Sequence, residues 1–255
     1  MNIVAIIQAR MGSTRLPGKV LLPLKGKPVL WHIVNRLKAC KNINNIVIAT
    51  SVEENDNKIE CFCKENKIDY FRGSEKNVLE RYYFTARKFQ ADHIVRITAD
   101  NPVLDPKIID ELIDIYKKDQ YDFYGVGSGF PYGISGAIFS FKALEESYLN
   151  AKVPSEKEHV GLYIKKRSKE YKVGFYGKYK DLGDYRWTLD TKEDYLLIKK
   201  IYDALYKKEE LFFTEDILKF IEKNPQFKTI NKNTIRDAGL LKTLMDDENY
   251  LNKKI

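Results

Sequence analysis

Cysteine is scarce: Cys40, Cys61 and Cys63 make an odd number with no framework spacing. That excludes a small disulfide-stapled secreted scaffold and predicts a reducing, cytoplasmic setting. Cys61 and Cys63 sit two apart in a helical stretch, so their thiols diverge, and with three histidines in all no zinc site is expected. Apolar runs are short, Ile3–Ile7 being typical, far from the roughly 20 residues of a membrane helix. No membrane partner is expected. A basic n-region, a long h-region and a cleavage site are missing at the N-terminus, so no secretory signal is expected. Two familiar phosphate loops are missing too. Five residues separate Gly12 from Gly18 and Val20 follows Lys19, which breaks the P-loop pattern. No G-x-G-x-x-G occurs, and Pro17 and Pro23 oppose a helix opening directly after the first strand. There is no Asp-x-Asp motif of the glycosyltransferase kind, no repeat and no low-complexity tract.

Negative charge is outweighed, 44 lysines and arginines against 36 acids for a net +8. The excess is lysine spread along helical segments and the C-terminal end, not arginine blocks with interleaved aromatics, and nucleic-acid binding is not expected. A chain of 255 residues, 44% hydrophobic and 31% charged, suits a globular protein of one large domain, or one with an accessory arm.

The informative stretch is the first nineteen residues, MNIVAIIQARMGSTRLPGK. Ile3–Ile7 reads as a buried strand. It passes into a loop holding Gly12, Ser13, Thr14, Pro17 and Gly18, with Arg10, Arg15 and Lys19 as fixed positive charges. Free backbone N–H groups, two guanidinium forks and a lysine point charge suit an oligophosphate. Downstream, the pattern predicts helices over Val29–Cys40, Asn57–Lys67 and Lys107–Lys118. It predicts strands over Ile46–Thr50, Ile68–Phe71, His93–Thr98, Tyr171–Tyr176 and Arg186–Asp190. Asn77 and Asp105 read as helix N-caps, Asp194 as a cap or face of the helix after Asp190, and His32 as packing. The alternation predicts a mainly parallel sheet covered on both faces. Asp100, at the end of a strand, then falls on the carboxyl edge where such sheets bind ligands.

QARMGSTRLPGK, residues 8–19, resembles the signature loop of the cytidylyltransferases that make CMP-activated acidic sugars, the CMP-sialate and CMP-Kdo synthetase superfamily. Gln8, where many members have proline, is most like the SpsF-type, spore-coat polysaccharide branch. RGSEKNVLERY is similar to the family's RG(S)-x-x-D-V-L-x-R block, with Asn77 in place of aspartate. TADNPVLDP resembles GDxPLxDP, RWTLDTKEDY resembles DTPEDL, and Glu158-His159-Val160 resembles R-E-H-V with Lys157 for the arginine. The resemblance covers nearly the whole chain. It departs at Ile134-Ser135-Gly136-Ala137, where SpsF-like members show G-x-D-x-E; that leaves the acceptor open.

The resemblance implies a three-layer, Rossmann-like nucleotidyltransferase fold (GT-A-like) with a mixed, mainly parallel sheet. It implies a domain over residues 1–210, a small dimerisation and acceptor arm near 121–180, and a helical extension over 211–255 that serves as a lid or packing element. The implied reaction is transfer of CMP from CTP to an acidic sugar with release of pyrophosphate. Arg10, Arg15 and Lys19 would be catalytic. Gln8, Ala9, Gly12, Ser13, Arg72, Ser74 and Asp100 join them as nucleotide-binding residues, with Thr50 and Ser51 nearby. Asp100 and Asp190 would hold Mg2+, and Tyr132, His159 and Arg186 would contact the acceptor. A homodimer is implied. A same-fold transferase using another nucleotide or acceptor, and a non-catalytic anion- or nucleic-acid-binding protein, are the competing readings.

Overall fold

Ile3–Gln8 (β1) is apolar from Ile3 to Ile7 because that part is buried on both faces. In a computed structural model that describes residues 1–134, 136–234 and 237–252, Ile3, Ala5 and Ile7 pack into one hydrophobic cluster. Val4 and Ile6 pack into another. The period of two thus separates two layers around one strand. Parallel neighbours flank it: Asn45–Ser51 (β2) on one side and His93–Thr98 (β4) on the other. Asp69–Gly73 (β3) continues the sheet beyond β2. Past β4 lie Ala137–Ser140 (β6), Phe123–Val126 (β5) and Val173–Tyr176 (β7), for a spatial order β3-β2-β1-β4-β6-β5-β7. Among the described residues of this sheet, only β6 runs antiparallel to its neighbours. The mixed, mainly parallel sheet is as expected. Residues 121–180, expected as an arm, contribute three strands to it.

One helical layer comprises Val29–Leu37 (α1), Asn57–Glu65 (α2), Pro106–Asp119 (α4), Lys192–Leu205 (α8) and Thr214–Lys223 (α9). The other holds Val78–Lys88 (α3), Phe141–Asn150 (α5) and Leu162–Lys166 (α7). Short Pro154–Glu158 (α6) carries the last helix, Ala238–Asn252 (α10), through Asp247, which accepts from Ser155 N (2.8 Å) and Oγ (2.5 Å) and lies 3.5 Å from Lys166 Nζ. Among the described residues no helix is long and apolar enough to cross a membrane.

The helix ends follow the sequence. Asn77 Oδ1 accepts from Glu80 N and caps α3; Asp105 Oδ1 accepts from Lys107 N, with Pro106 opening α4. Thr191 and Asp194 form a capping box on α8. His32 is buried, with its Nε2 2.8 Å from Leu24 O, and burial lowers its pKa to about 4, so it packs as a neutral ring.

One expectation is corrected. Arg186–Asp190 is not a strand. Its alternating Trp187 and Leu189 are buried, but its hydrogen bonds divide between Tyr132 O, from Trp187 N (2.7 Å), and the Asp100 carbonyl, from Leu189 N (2.7 Å) and Thr188 Oγ1 (3.2 Å). Only Arg186 bridges Tyr132. A Cβ on Gly133 (φ +113°) would sit 2.5 Å from Thr188 N, so this backbone-on-backbone approach requires glycine. In the chain after Leu211, Phe212, Ile217 and Ile221 belong to the main core. Asp105 Oδ2 accepts from both N and Oγ1 of Thr214 (2.9 and 2.8 Å), and Arg36 donates to the carbonyls of Leu104 and Phe212.

Asp105 therefore caps α4 and clamps α9 with one buried carboxylate. Asp105→Ala is expected to lower stability by about 3 kcal/mol, a cap plus charge-assisted bonds, as read from urea unfolding. A loss under about 1 kcal/mol would remove the clamp from the account.

Candidate active site

Register brings the site together. Gln8 pairs with Ala49 on β2 and with Thr98 on β4, so β1 and β4 end level and β2 runs two residues past them. The basic loop leaves β1 at this edge and is pinned from below. Met11 N donates to Asp56 Oδ1 at 2.7 Å, while Asp56 Oδ2 accepts from Ser51 N and Oγ (3.2 and 2.5 Å) at the end of β2. Met11 O in turn accepts from Ser13 N and Gly18 N, and Gly18 takes φ +69° to close the loop. Leu16 and Val20 are buried anchors. The loop's cations are thereby held over the sheet edge.

The central contact joins residues far apart in the chain. Lys19 Nζ donates to Asp190 Oδ1 at 2.7 Å and to Asp100 Oδ2 at 3.1 Å. Arg15 approaches Asp190 Oδ2 at 3.2 Å and Arg186 Nη2 donates to it at 2.8 Å. Thr98 Oγ1 donates to Asp100 Oδ1 at 2.5 Å. Burial opposes the Lys19 charge, but Asp100 and Asp190 outweigh it and the pKa is raised. Burial likewise opposes the Asp190 charge, and Lys19, Arg15 and Arg186 overcome it to lower that pKa. Both groups stay ionised. Arg10 and Arg15 remain about 43% and 44% exposed, Arg10 only 3.6 Å from Glu158, so their donors are available to a ligand.

Two adjoining cavities meet at this cluster. One, about 610 Å³, is lined by Gln8, Ala9, Arg10, Gly12, Ser13, Arg15, Lys19 and Asp100, together with Thr14, Val78 and Arg81. The other, about 470 Å³, shares Gln8, Arg15, Asp100 and Asp190 and extends past Tyr132 and His159. Most residues anticipated from the basic loop and strand ends converge here. Arg72 and Ser74 do not line either cavity. Arg72 is spent on Ser51 O, Glu53 O and Glu60, and Ser74 Oγ accepts from Asn77 N ahead of α3. Arg81, one turn into α3, takes the place beside the first cavity, buried, with Nη1 donating to Ser74 O at 2.7 Å and Nε unpartnered. Ser51 holds Asp56, and Thr50 lies buried with Oγ1 unpartnered, both outside the two linings.

Arg186 lines neither cavity. It is buried between Asp190 and Asp194, with Nε donating to Asp194 Oδ1 at 2.9 Å. Asp194 also accepts from Asn231 Nδ2 (2.8 Å) and from the N–H groups of Asp190 and Thr191 (3.0 Å each). Its helix-capping role was legible; its hold on Asp190 was not, because Arg186 and Asn231 reach it only in three dimensions. Nor did any sequence signal place Gly239, Lys242, Thr243 and Asp246 of α10 and its entry turn along the first cavity. Their spacing is that of one helix face.

Among the described residues no cluster of three or more acidic, histidine or cysteine side chains forms a metal cage. Two carboxylates converging on one cation do match the way Mg2+ is held, by one or two acids with substrate oxygens completing the shell.

The chain matches the model of a cytidylyltransferase family over residues 4–244. It is 37% identical to the spore coat polysaccharide biosynthesis protein SpsF of Bacillus subtilis, over 89% of this chain and 97% of that one. It is 26% identical to the 8-amino-3,8-dideoxy-manno-octulosonate cytidylyltransferase of Shewanella amazonensis, over 74% and 75%. The solved structure of a cytidylyltransferase from Leptospira borgpetersenii superposes with a TM-score of 0.85 at 35% identity, covering 92% of this chain and 99% of that one.

Because the folded Asp190 carboxyl ionises below its ordinary value, its pairing stabilises the fold above about pH 4 and is lost as pH falls through the lower folded value. Asp190→Asn is expected to unfold at lower urea than wild type at pH 7, with the gap closing toward pH 3. An unchanged gap across that range would show that the carboxylate's charge is not what counts.

Proposed function

The chain belongs to the cytidylyltransferase family, and from that premise we propose that it transfers CMP from CTP to an acidic sugar, releasing pyrophosphate, in the synthesis of a surface polysaccharide or glycan. It is an enzyme of the nucleotidyltransferase type. The observation that carries the proposal is the Lys19 ammonium bridging Asp100 and Asp190 where the two cavities meet. One cavity is walled by cations of a kind suited to phosphate and the other is large enough for a sugar. The names of the relatives, SpsF and an octulosonate cytidylyltransferase, agree with that division.

In this reading the triphosphate of CTP lies along Arg10, Ser13, Arg15 and Lys19, with loop N–H groups completing the cradle. A hydroxyl of the sugar enters from the second cavity and attacks the α-phosphorus. A new phosphorus–oxygen bond forms as the bond to the β-phosphate breaks, and charge grows on the leaving pyrophosphate. Arg10, Arg15 and Lys19 meet that charge from fixed positions, so the chain contributes electrostatics and alignment and no covalent intermediate is needed. Lys19 has three donors, enough to keep an aspartate while gripping a phosphate oxygen. Asp100 and Asp190 would hold Mg2+; bound there, it supplies positive charge to phosphate oxygens and acidifies the attacking hydroxyl. Arg186 and Asp194 keep Asp190 turned toward Lys19.

Release of pyrophosphate from CTP, GTP, UTP and ATP in the presence of 2-keto-3-deoxy sugar acids tests the proposal, with CTP expected to lead. Preference for another nucleotide would replace cytidylyl transfer by a different transfer on the same scaffold. Asp100→Asn is expected to remain folded and lose turnover, and Lys19→Met to slow it roughly a hundredfold, on the order of 3 kcal/mol. Asp100→Asn retaining activity within a few-fold of wild type rules out Asp100 as an essential ligand.

A further inference from the structure

The last two helices are held to the protein by different forces. Ile217 and Ile221 of α9 are buried in the main core. In α10 the one buried residue is Asp247. Its carboxylate accepts from Ser155 N and Oγ and faces Lys166. One turn earlier, Thr243 Oγ1 lies 2.8 Å from Nε2 of His159, an imidazole that burial keeps neutral by lowering its pKa to about 4. Leu241 and Met245, a turn apart on the outer face, stay 51% and 67% exposed. A helix docked by polar bonds with little apolar burial separates from its neighbours more readily than a core helix.

The inward face of α10 carries Gly239, Lys242, Thr243 and Asp246 along the 610 Å³ cavity, opposite the basic loop. Four carboxylates share that lining, and three are answered nearby. Asp100 and Asp190 divide Lys19 between them, and Glu158 faces Arg10 at 3.6 Å. The fourth, Asp246, stands one turn beyond Lys242, and among the described residues neither of the two forms an ion pair. Lys242 thus brings to the cavity an ammonium with no carboxylate on it.

We propose that Lys242 is a nucleotide-binding residue, carried to the phosphates of CTP by a helix that the Asp247–Ser155 clamp holds over the cavity. The proposal rests on the cytidylyl-transfer reading and extends its binding site into the C-terminal segment. The charged groups of CTP are its phosphates, so they are the ionic partners open to an ammonium on this wall. The basic loop leaves room for such a partner, because Lys19 and Arg15 are shared with Asp100 and Asp190. Asp246 repels an anion from the far end of the face, so the contact lies toward the start of the helix. Binding and docking are then linked: CTP holds α10 down, and a docked α10 tightens CTP by the same factor.

The test is calorimetric titration of CTP, with Mg2+ present, into wild type, Lys242→Met, Lys242→Arg and Asp247→Ala, beside amide hydrogen exchange of α10 with and without CTP. The Kd for CTP should rise about tenfold in Lys242→Met, the loss of one charge-assisted bond, and recover in part in Lys242→Arg. Asp247→Ala should speed exchange in α10 and weaken CTP by a similar factor, and CTP should slow α10 exchange in wild type. Lys242 is exposed, so Lys242→Met tests the contact even if Asp247→Ala does not fold. An unchanged Kd in Lys242→Met overturns the proposal. Faster exchange in Asp247→Ala with the Kd for CTP within about twofold of wild type makes α10 a bystander and overturns the linkage. The two levels separate in the wild-type titration: failure to bind CTP sinks the cytidylyl-transfer reading as well, whereas CTP bound equally by wild type and Lys242→Met sinks the helix's part alone.

Discussion

One ammonium holds this active site in register. Two carboxylates brought side by side repel each other and resist burial, and the Lys19 side chain, about 12% exposed, stands between Asp100 and Asp190 as their shared counter-charge. The three residues come from the loop after the first strand, the turn after the fourth and the connection before α8. Their meeting depends on β1 and β4 ending level and on the backbone bond from Leu189 N to the Asp100 carbonyl. Geometry supplied by the sheet and charge supplied by Lys19 are inseparable here.

Around that contact the polar groups form nested supports. Asp56 ties the basic loop to the end of β2, and Asp194 gathers Arg186, Asn231 and two backbone N–H groups behind Asp190. Each is a buried carboxylate with its acceptor sites filled, the condition under which burial of charge is tolerable. The outcome is an asymmetric site. Asp100, Asp190 and Lys19 are held by several partners each, whereas Arg10 and Arg15 stay more exposed, each with one ion pair.

The C-terminal segment belongs to this arrangement. Asn231 reaches the Arg186–Asp194 pair, α10 lies along both cavities, and His159 is bonded to Thr243 of that helix. The Asp105–Thr214 and Asp247–Ser155 bonds anchor the segment at two points. The tail therefore forms part of the wall of the two cavities.

The strands and helices up to residue 119 were legible because burial on both faces writes continuous apolar runs, while one-sided burial writes a helical period. The caps at Asn77 and Asp105, and the basic loop with Asp100 at a strand end, were legible for the same local reason: each is a short-range rule about free N–H groups, charge or chain direction. Arg186–Asp190 misled because alternation reports burial and cannot tell a ladder from a loop whose hydrogen bonds go to the Tyr132 and Asp100 carbonyls. Arg72 misled because a guanidinium in the right motif can be consumed by nearby carbonyls and a glutamate. The amino-acid sequence alone determined the layered scaffold and the cationic loop, since these follow from residue type and spacing. Tertiary structure alone decided that Lys19 sits between two distant aspartates, that Asp194 and Asn231 hold one of them, and that Lys242 shares a cavity with the basic loop, because such contacts depend on where separate elements come to rest.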